Sequence, residues 1–113
     1  MTIRKLLAVF FGACTLTACA TPDLSGDWYA QNPQGAYLHL NNDGSLNGFD
    51  GCNRMFGQWS SEGSNITFDT LGSTKMYCEG VDTWLSLSAT ATARSGELQV
   101  FNGEGAEIGT LKR

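Results

Sequence analysis

Positive charge is scarce in this sequence of 113 residues, where seven Lys and Arg face eleven Asp and Glu and leave a net charge of −4. That is the wrong sign for neutralising nucleic-acid phosphates, which argues against nucleic acid as a partner. Proline is scarcer still, with two residues, and 42% of the chain is hydrophobic, so neither a collagen-like repeat nor a disordered chain fits. Histidine occurs once, at His39, and there is neither a G-x-S-x-G elbow nor a C-x-x-C pair. No apolar run reaches the roughly 20 residues that a membrane-spanning helix requires. The length suits one small domain and excludes a multidomain enzyme. What is abundant is glycine, at 14 residues, beside three Trp, three Tyr and six Phe, the composition of a folded, turn-rich chain.

Arg4 and Lys5 precede an apolar run from Leu6 to about Ala13, and small residues follow before Cys19. This is the layout of a secretory signal. Leu16-Thr17-Ala18-Cys19 resembles the bacterial lipoprotein box, which implies cleavage ahead of Cys19 and acylation of its thiol with diacylglycerol and palmitate. The chain then divides into a signal peptide at 1–18, a lipidated tether at 19–24 and a domain at 25–113. Each buried lipid methylene contributes about 0.8 kcal/mol, so several chains on one Cys hold a domain on a membrane unaided. Loss of Arg4 and Lys5 makes the mature chain more acidic than the full one. Ala20 and Thr21 stand where an Asp commonly retains enteric lipoproteins in the inner membrane, so the expected location is the outer membrane, facing the periplasm.

Of the four cysteines, Cys14 leaves with the signal and Cys19 is acylated, so Cys52 and Cys78 remain. Two thiols in an oxidising compartment suggest one structural disulfide. Two other readings compete with it. A zinc pair completed by His39 lacks the four ligands of a structural site. Cys52 as a nucleophile needs His39 as its base, and nothing in the sequence brings the two together.

Ser25 to Ala30 reads as a strand and Asn32-Pro33-Gln34-Gly35 as a turn. From Ala36 to Leu40, Leu38 and Leu40 alternate with Tyr37 and His39, the pattern of a half-buried strand. Asn41-Asn42-Asp43-Gly44 is a hairpin signal leading into a strand at Ser45 to Phe49. Met55 to Ser60 and Asn65 to Asp69 form another hairpin around Ser61-Glu62-Gly63-Ser64. Asp82 is placed to cap a helix of a turn or two, with Val81, Trp84, Leu85 and Leu87 on one apolar face. Ala89 to Arg94, Glu97 to Asn102 and Ala106 to Leu111 complete the strands. Such spacing predicts a mainly β, α+β fold: a small antiparallel β-sheet or partly open barrel with one short helix and one disulfide.

Three blocks carry a more specific signal: SLNGFDGCNRMFGQW from Ser45, NITFDTLGSTKMYC from Asn65, and ELQVFNGEGAEIGTL from Glu97. Together they resemble the META domain family, typified by heat-shock lipoprotein HslJ. The first block supplies Gly48, Phe49, Gly51, Cys52, Asn53, Arg54 and Phe56; the second supplies Thr74, Met76 and Cys78. Lys75 stands where Arg is usual in the family, and the segment between Cys78 and Leu98 is shorter than in relatives, so the helix is trimmed. The resemblance implies a compact β-rich fold and a link to envelope stress, and supplies no established catalytic residues. These motif residues are structural or binding residues. Gly48 and Gly51 suit tight bends, Asn53 suits bonding to neighbouring backbone, and Arg54 in an acidic chain suits an internal salt bridge ahead of a carboxylate or phosphate on a partner.

The run from His39 to Asp50 approaches a calcium loop but lacks the bidentate Glu and the flanking helices, so a hairpin explains it. Asp27, Asp43, Asp50 and Asp69 show no spacing that places two carboxylates across a cleft. No metal and no cofactor is expected. The sequence therefore reads as a monomeric, non-catalytic envelope lipoprotein, joined to the membrane through Cys19, that meets a periplasmic protein partner and supports envelope integrity or stress tolerance. Three rivals stand beside it: an inhibitor of a basic wall-degrading enzyme such as lysozyme, an apolar-ligand carrier, and an enzyme using Cys52 or His39.

Overall fold

The computed structural model describes residues 22–113, and eight antiparallel strands in sequential order close on themselves as a barrel. They are β1 Gly26–Ala30, β2 Tyr37–Leu40, β3 Ser45–Phe49, β4 Arg54–Glu62, β5 Asn65–Ser73, β6 Thr90–Arg94, β7 Glu97–Phe101 and β8 Glu107–Lys112. The expectation of a sheet or partly open barrel is thus sharpened to a closed one. Closure rests on a thin seam, in which β1 meets β8 at only Tyr29↔Lys112 and Ala30↔Leu111. Closing the sheet removes the free edges that a small antiparallel sheet would otherwise expose to other chains.

Alternation fills the interior. Trp28, Leu38 and Met55 point inward on β1, β2 and β4, and Ile66, Ala91, Leu98, Val100 and Leu111 complete the wall on the far side, each at most 2% exposed. The register places Leu38 opposite Gly48, and Gly48 opposite Met55. A Cβ on Gly48 would run into the Tyr37 carbonyl and the Leu38 side chain, so the bare position makes room for the large neighbours.

The expected helix is reduced to one 3-10 turn at Trp84–Leu87. Asp82 does not cap it: the N-cap position is Thr83, without a side-chain cap bond. The proposed common apolar face is also split, since Trp84 and Leu85 are buried while Leu87 is 64% exposed. Trp84 and Leu85 belong to the core, and the Trp84 indole nitrogen donates to the Asn32 carbonyl at 2.8 Å. Leu24, expected in the tether, is 5% exposed and joins the core, and its carbonyl accepts from the Trp28 indole at 3.0 Å.

Strand direction orders the two ends of the barrel. Residues 22–25 lead into β1 at one end, together with the hairpins at 41–44 and 63–64 and the C-terminus. The β3–β4 bend, the segment between β5 and β6, and the 3-10 turn lie at the other.

Candidate functional site

The β3–β4 bend is built around a carboxylate. Asp50, 1% exposed, accepts through Oδ1 from the backbone N–H groups of Cys52 at 2.9 Å and Asn53 at 2.6 Å, while Oδ2 accepts from the Ser86 hydroxyl. A buried carboxylate is tolerated when its oxygens are met by donors in this way. Between them Gly51 adopts φ +101, open to glycine at little cost, and a Cβ there would lie 2.6 Å from the Pro33 ring. By sequence pattern alone Asp50 is only a failed calcium ligand and one of four scattered acids. The signal for its actual role was present in Asp-Gly-x-Asn, since Asp side chains bond backbone N–H groups two or three residues on.

Asn53, 7% exposed, turns the other way. Its Oδ1 accepts from the Thr74 hydroxyl at 2.8 Å and the Met76 N–H at 2.6 Å, and its Nδ2 donates to the Met76 carbonyl at 3.1 Å. Thr74 reciprocates: its hydroxyl accepts from the Arg54 N–H at 3.1 Å and its own N–H donates to the Arg54 carbonyl at 3.0 Å. Two residues beyond Met76, Cys78 is joined to Cys52 by a disulfide, with the Cα atoms 5.8 Å apart. The disulfide expected between these two cysteines is present, and the rival zinc and nucleophile readings fall because both sulfurs are bonded to each other. Among the described residues no group of three His, Cys, Asp or Glu gathers as a metal site. His39 lies on the outer face of β2, paired with the Asp27 carboxylate across the β1–β2 register.

Phe49, Arg54 and Phe56 belong to a different surface. They face outward, with Phe49 opposite both Tyr37 and Arg54, and Asn47 opposite Phe56. These residues border a solvent-open groove of about 490 Å³ whose floor is the Gly48↔Met55 pair. Phe56 is 53% exposed, and Tyr29, which continues the row beyond Tyr37, is 52% exposed. The nearby Asp27 charge, aided by desolvation and a hydrogen bond to the same carboxylate, raises the Tyr29 phenol above its usual range. Arg54 was expected in an internal salt bridge; among the described residues the two ion pairs are His39–Asp27 and Lys112–Glu97, and Arg54 is in neither. Cross-strand geometry explains this, since its directly opposed neighbour is Phe49 and no carboxylate.

The motif thus separates into inward and outward halves. Gly48, Gly51, Asn53, Thr74 and the disulfide hold the bend and the 74–78 segment, whereas Phe49, Arg54 and Phe56 form a groove. The Met76 backbone is clamped but its side chain is 62% exposed, next to Tyr77 at 85%. Neither Asp50 nor the Tyr29–Tyr37–Phe49 row was singled out from the sequence as a site. Cys19 lies outside the described residues.

The family model of the META domain matches residues 13–105. Among solved structures, the NMR structure of a protein from Burkholderia xenovorans is similar over 78% of this chain and 77% of that one, at 21% identity and a TM-score of 0.50. At that identity the likeness bears on the fold alone. Comparison with curated proteins gives no match.

Proposed function

The chain belongs to the META domain family, whose model spans residues 13–105, and from that premise we propose that it is a non-catalytic lipoprotein of the bacterial envelope. In this reading lipid on Cys19 holds it to the outer membrane, facing the periplasm, where it supports envelope integrity or stress tolerance through protein contacts. One observation carries the reading. Met76, Tyr77 and Leu87 are 62%, 85% and 64% exposed, and their segments lie at the barrel end opposite to residues 22–25. A domain tethered through its N-terminus would present those apolar side chains away from the membrane, where a protein partner can reach them.

The non-catalytic part draws on the bonding of the motif. The Cys52 and Cys78 sulfurs are bonded to each other, and both Asp50 oxygens and the Asn53 amide hold neighbouring parts of the fold, which supports a structural role for these motif groups. The carrier reading loses its support because the barrel interior is occupied by side chains. An inhibitor of a basic enzyme such as lysozyme remains the second reading, favoured by the net charge of −4. Salt-sensitive binding to lysozyme would decide for it.

The test has two parts. Cys19→Ser should abolish palmitate labelling and outer-membrane fractionation, and unchanged labelling would refute the anchor. Replacing Met76 and Tyr77 together by Asp, in a protein that still folds and is still lipidated, should fail to restore stress tolerance to cells lacking the gene. Full restoration would refute a role for the distal end.

A further inference from the structure

The row Tyr29–Tyr37–Phe49–Arg54 crosses β1, β2, β3 and β4 in direct register. It places aromatic residues on three adjacent strands and a guanidinium on the fourth. Adjacent strands are spaced by about 4.8 Å, close to the length that one pyranose ring occupies along a glycan. Sugar rings offer apolar C–H faces to aromatic rings, and their acetamido and hydroxyl groups need an amide such as that of Asn47, which borders the groove. Arg54 is exposed, has no carboxylate partner among the described residues, and sits in a chain of net charge −4. One such cation matches a sparsely charged polymer. A phosphate-rich polymer or an anionic lipid surface would instead meet the repulsion of the acidic domain.

We propose that this outer face binds an amino-sugar glycan whose repeating unit bears one free carboxylate, with the rings along Tyr29, Tyr37 and Phe49, the carboxylate on Arg54, and Phe56 and Asn47 closing the groove. The proposal stands on the groove and does not depend on the lipid anchor or on the distal protein contact.

The test is isothermal titration of the full chain, solubilised in detergent, with two tetrasaccharides. One alternates N-acetylglucosamine with N-acetylmuramic acid, which carries a lactyl carboxylate; the other is the N-acetylglucosamine tetramer, which lacks it. The carboxylated sugar should bind about fivefold more tightly, the upper end for one exposed ion pair. Arg54→Gln, whose side chain holds no internal ion pair, should erase that difference while leaving the thermal midpoint unchanged. Phe49→Ala should weaken both sugars. Equal affinity for the two sugars, absence of saturation at millimolar concentration, or selectivity surviving in Arg54→Gln would each overturn the proposal. So would displacement of the sugar by anionic phospholipid mixed into the same detergent micelles, which would assign the groove to a membrane surface.

Discussion

The Asn53 side-chain amide pairs with both backbone groups of Met76, accepting from its N–H at 2.6 Å and donating to its carbonyl at 3.1 Å. A side chain here does what a neighbouring strand would do, and so continues the barrel's hydrogen bonding past the end of β5, where no strand is available. Asn53→Ala should cost about 2 to 3 kcal/mol, because the Met76 groups and the Thr74 hydroxyl lose partners at a partly buried site. Asn53→Asp should cost at least as much, since it replaces the donor with an oxygen facing a carbonyl. Urea denaturation of the oxidised protein reads both; a change below about 0.5 kcal/mol would remove the clamp from the stability of the fold.

The disulfide holds the same segment by a second route, and its loop spans 26 residues. In the chain-entropy account a loop of this size contributes about 3 to 4 kcal/mol. Reduction of the wild type should therefore lower stability by that amount while the Asn53 clamp still retains residues 74–76. Reduction of Asn53→Ala removes both ties, so trypsin should cleave after the exposed Lys75 far faster than in either single case. Equal cleavage rates in all four states would show that neither tie restrains the segment. Alkylation of the unreduced protein at both Cys52 and Cys78 would refute the bridge itself.

Half-buried strands were legible because each obeys a period of two. Ser45 to Phe49 was read with the bounds observed, and Leu38 and Leu40 are buried as their alternation required. The β4–β5 hairpin is longer than its sequence suggests, because Ser61 and Glu62 look like turn residues yet are exposed members of β4, and Thr70, with φ 49, marks a register break inside a β5 that runs on to Ser73. At Trp84–Leu87 the pattern suggests more regular structure than forms. Val81, Trp84, Leu85 and Leu87 fit a helical period, but the chain must leave the disulfide at Cys78 and re-enter the sheet at Thr90, which leaves room for a single tight turn. Closure was hidden because it depends on two residue pairs between the first and last strands. At the candidate site, the bonding capacity of Asn53 was visible in the residue type. The outward row of aromatics needed the register of four strands before it existed as a surface.

Trp84 stacks where β8 has no side chain: a Cβ on Gly109 would fall within the Trp84 indole. Gly109→Ala should therefore displace the ring, break its hydrogen bond to the Asn32 carbonyl and cost about 1 to 3 kcal/mol as an overpacking change. In a Trp84→Ala background the same substitution should be nearly free, giving a strong coupling in the double-mutant cycle. Additive costs would mean that the two positions do not share the space.

The 41–44 turn should make the fold acid-sensitive. Asp43 accepts from the Ser45 N–H at 3.0 Å and from the Ser45 hydroxyl at 2.7 Å, and these bonds hold its carboxyl below the ordinary aspartate range. The folded state therefore binds fewer protons there than the unfolded chain. Its stabilising effect is complete above the ordinary aspartate pKa and is lost as pH falls through the lowered value. Asp43→Asn should show a smaller loss of urea midpoint than wild type between neutral pH and about pH 3. An identical loss would place the acid sensitivity elsewhere, with Asp23, which Ser25 holds down in the same manner, as the next carboxyl to replace.

Arg113 reinforces the thinnest part of the barrel. Its Nη2 donates to the carbonyls of Asp23 at 2.8 Å and Ser25 at 2.7 Å, and its guanidinium carbon lies 4.3 Å from the centre of the Trp28 ring. The last residue is thereby tied to the segment that leads into β1, beside a seam of only two paired positions. Arg113→Ala should lower global stability by about 1 kcal/mol, since the contacts are exposed and individually modest. Its local effect should be larger. Amide exchange at Tyr29 and Lys112, the pair whose N–H groups face each other across the seam, should accelerate relative to Leu38 and Val100, which lie in strands joined to their neighbours by four or five paired positions. Arg113→Lys keeps the charge over Trp28 but loses the planar fork, so it should fall between wild type and Ala. Uniform acceleration across all four amides would show that the barrel opens as one unit, with Arg113 outside any local latch.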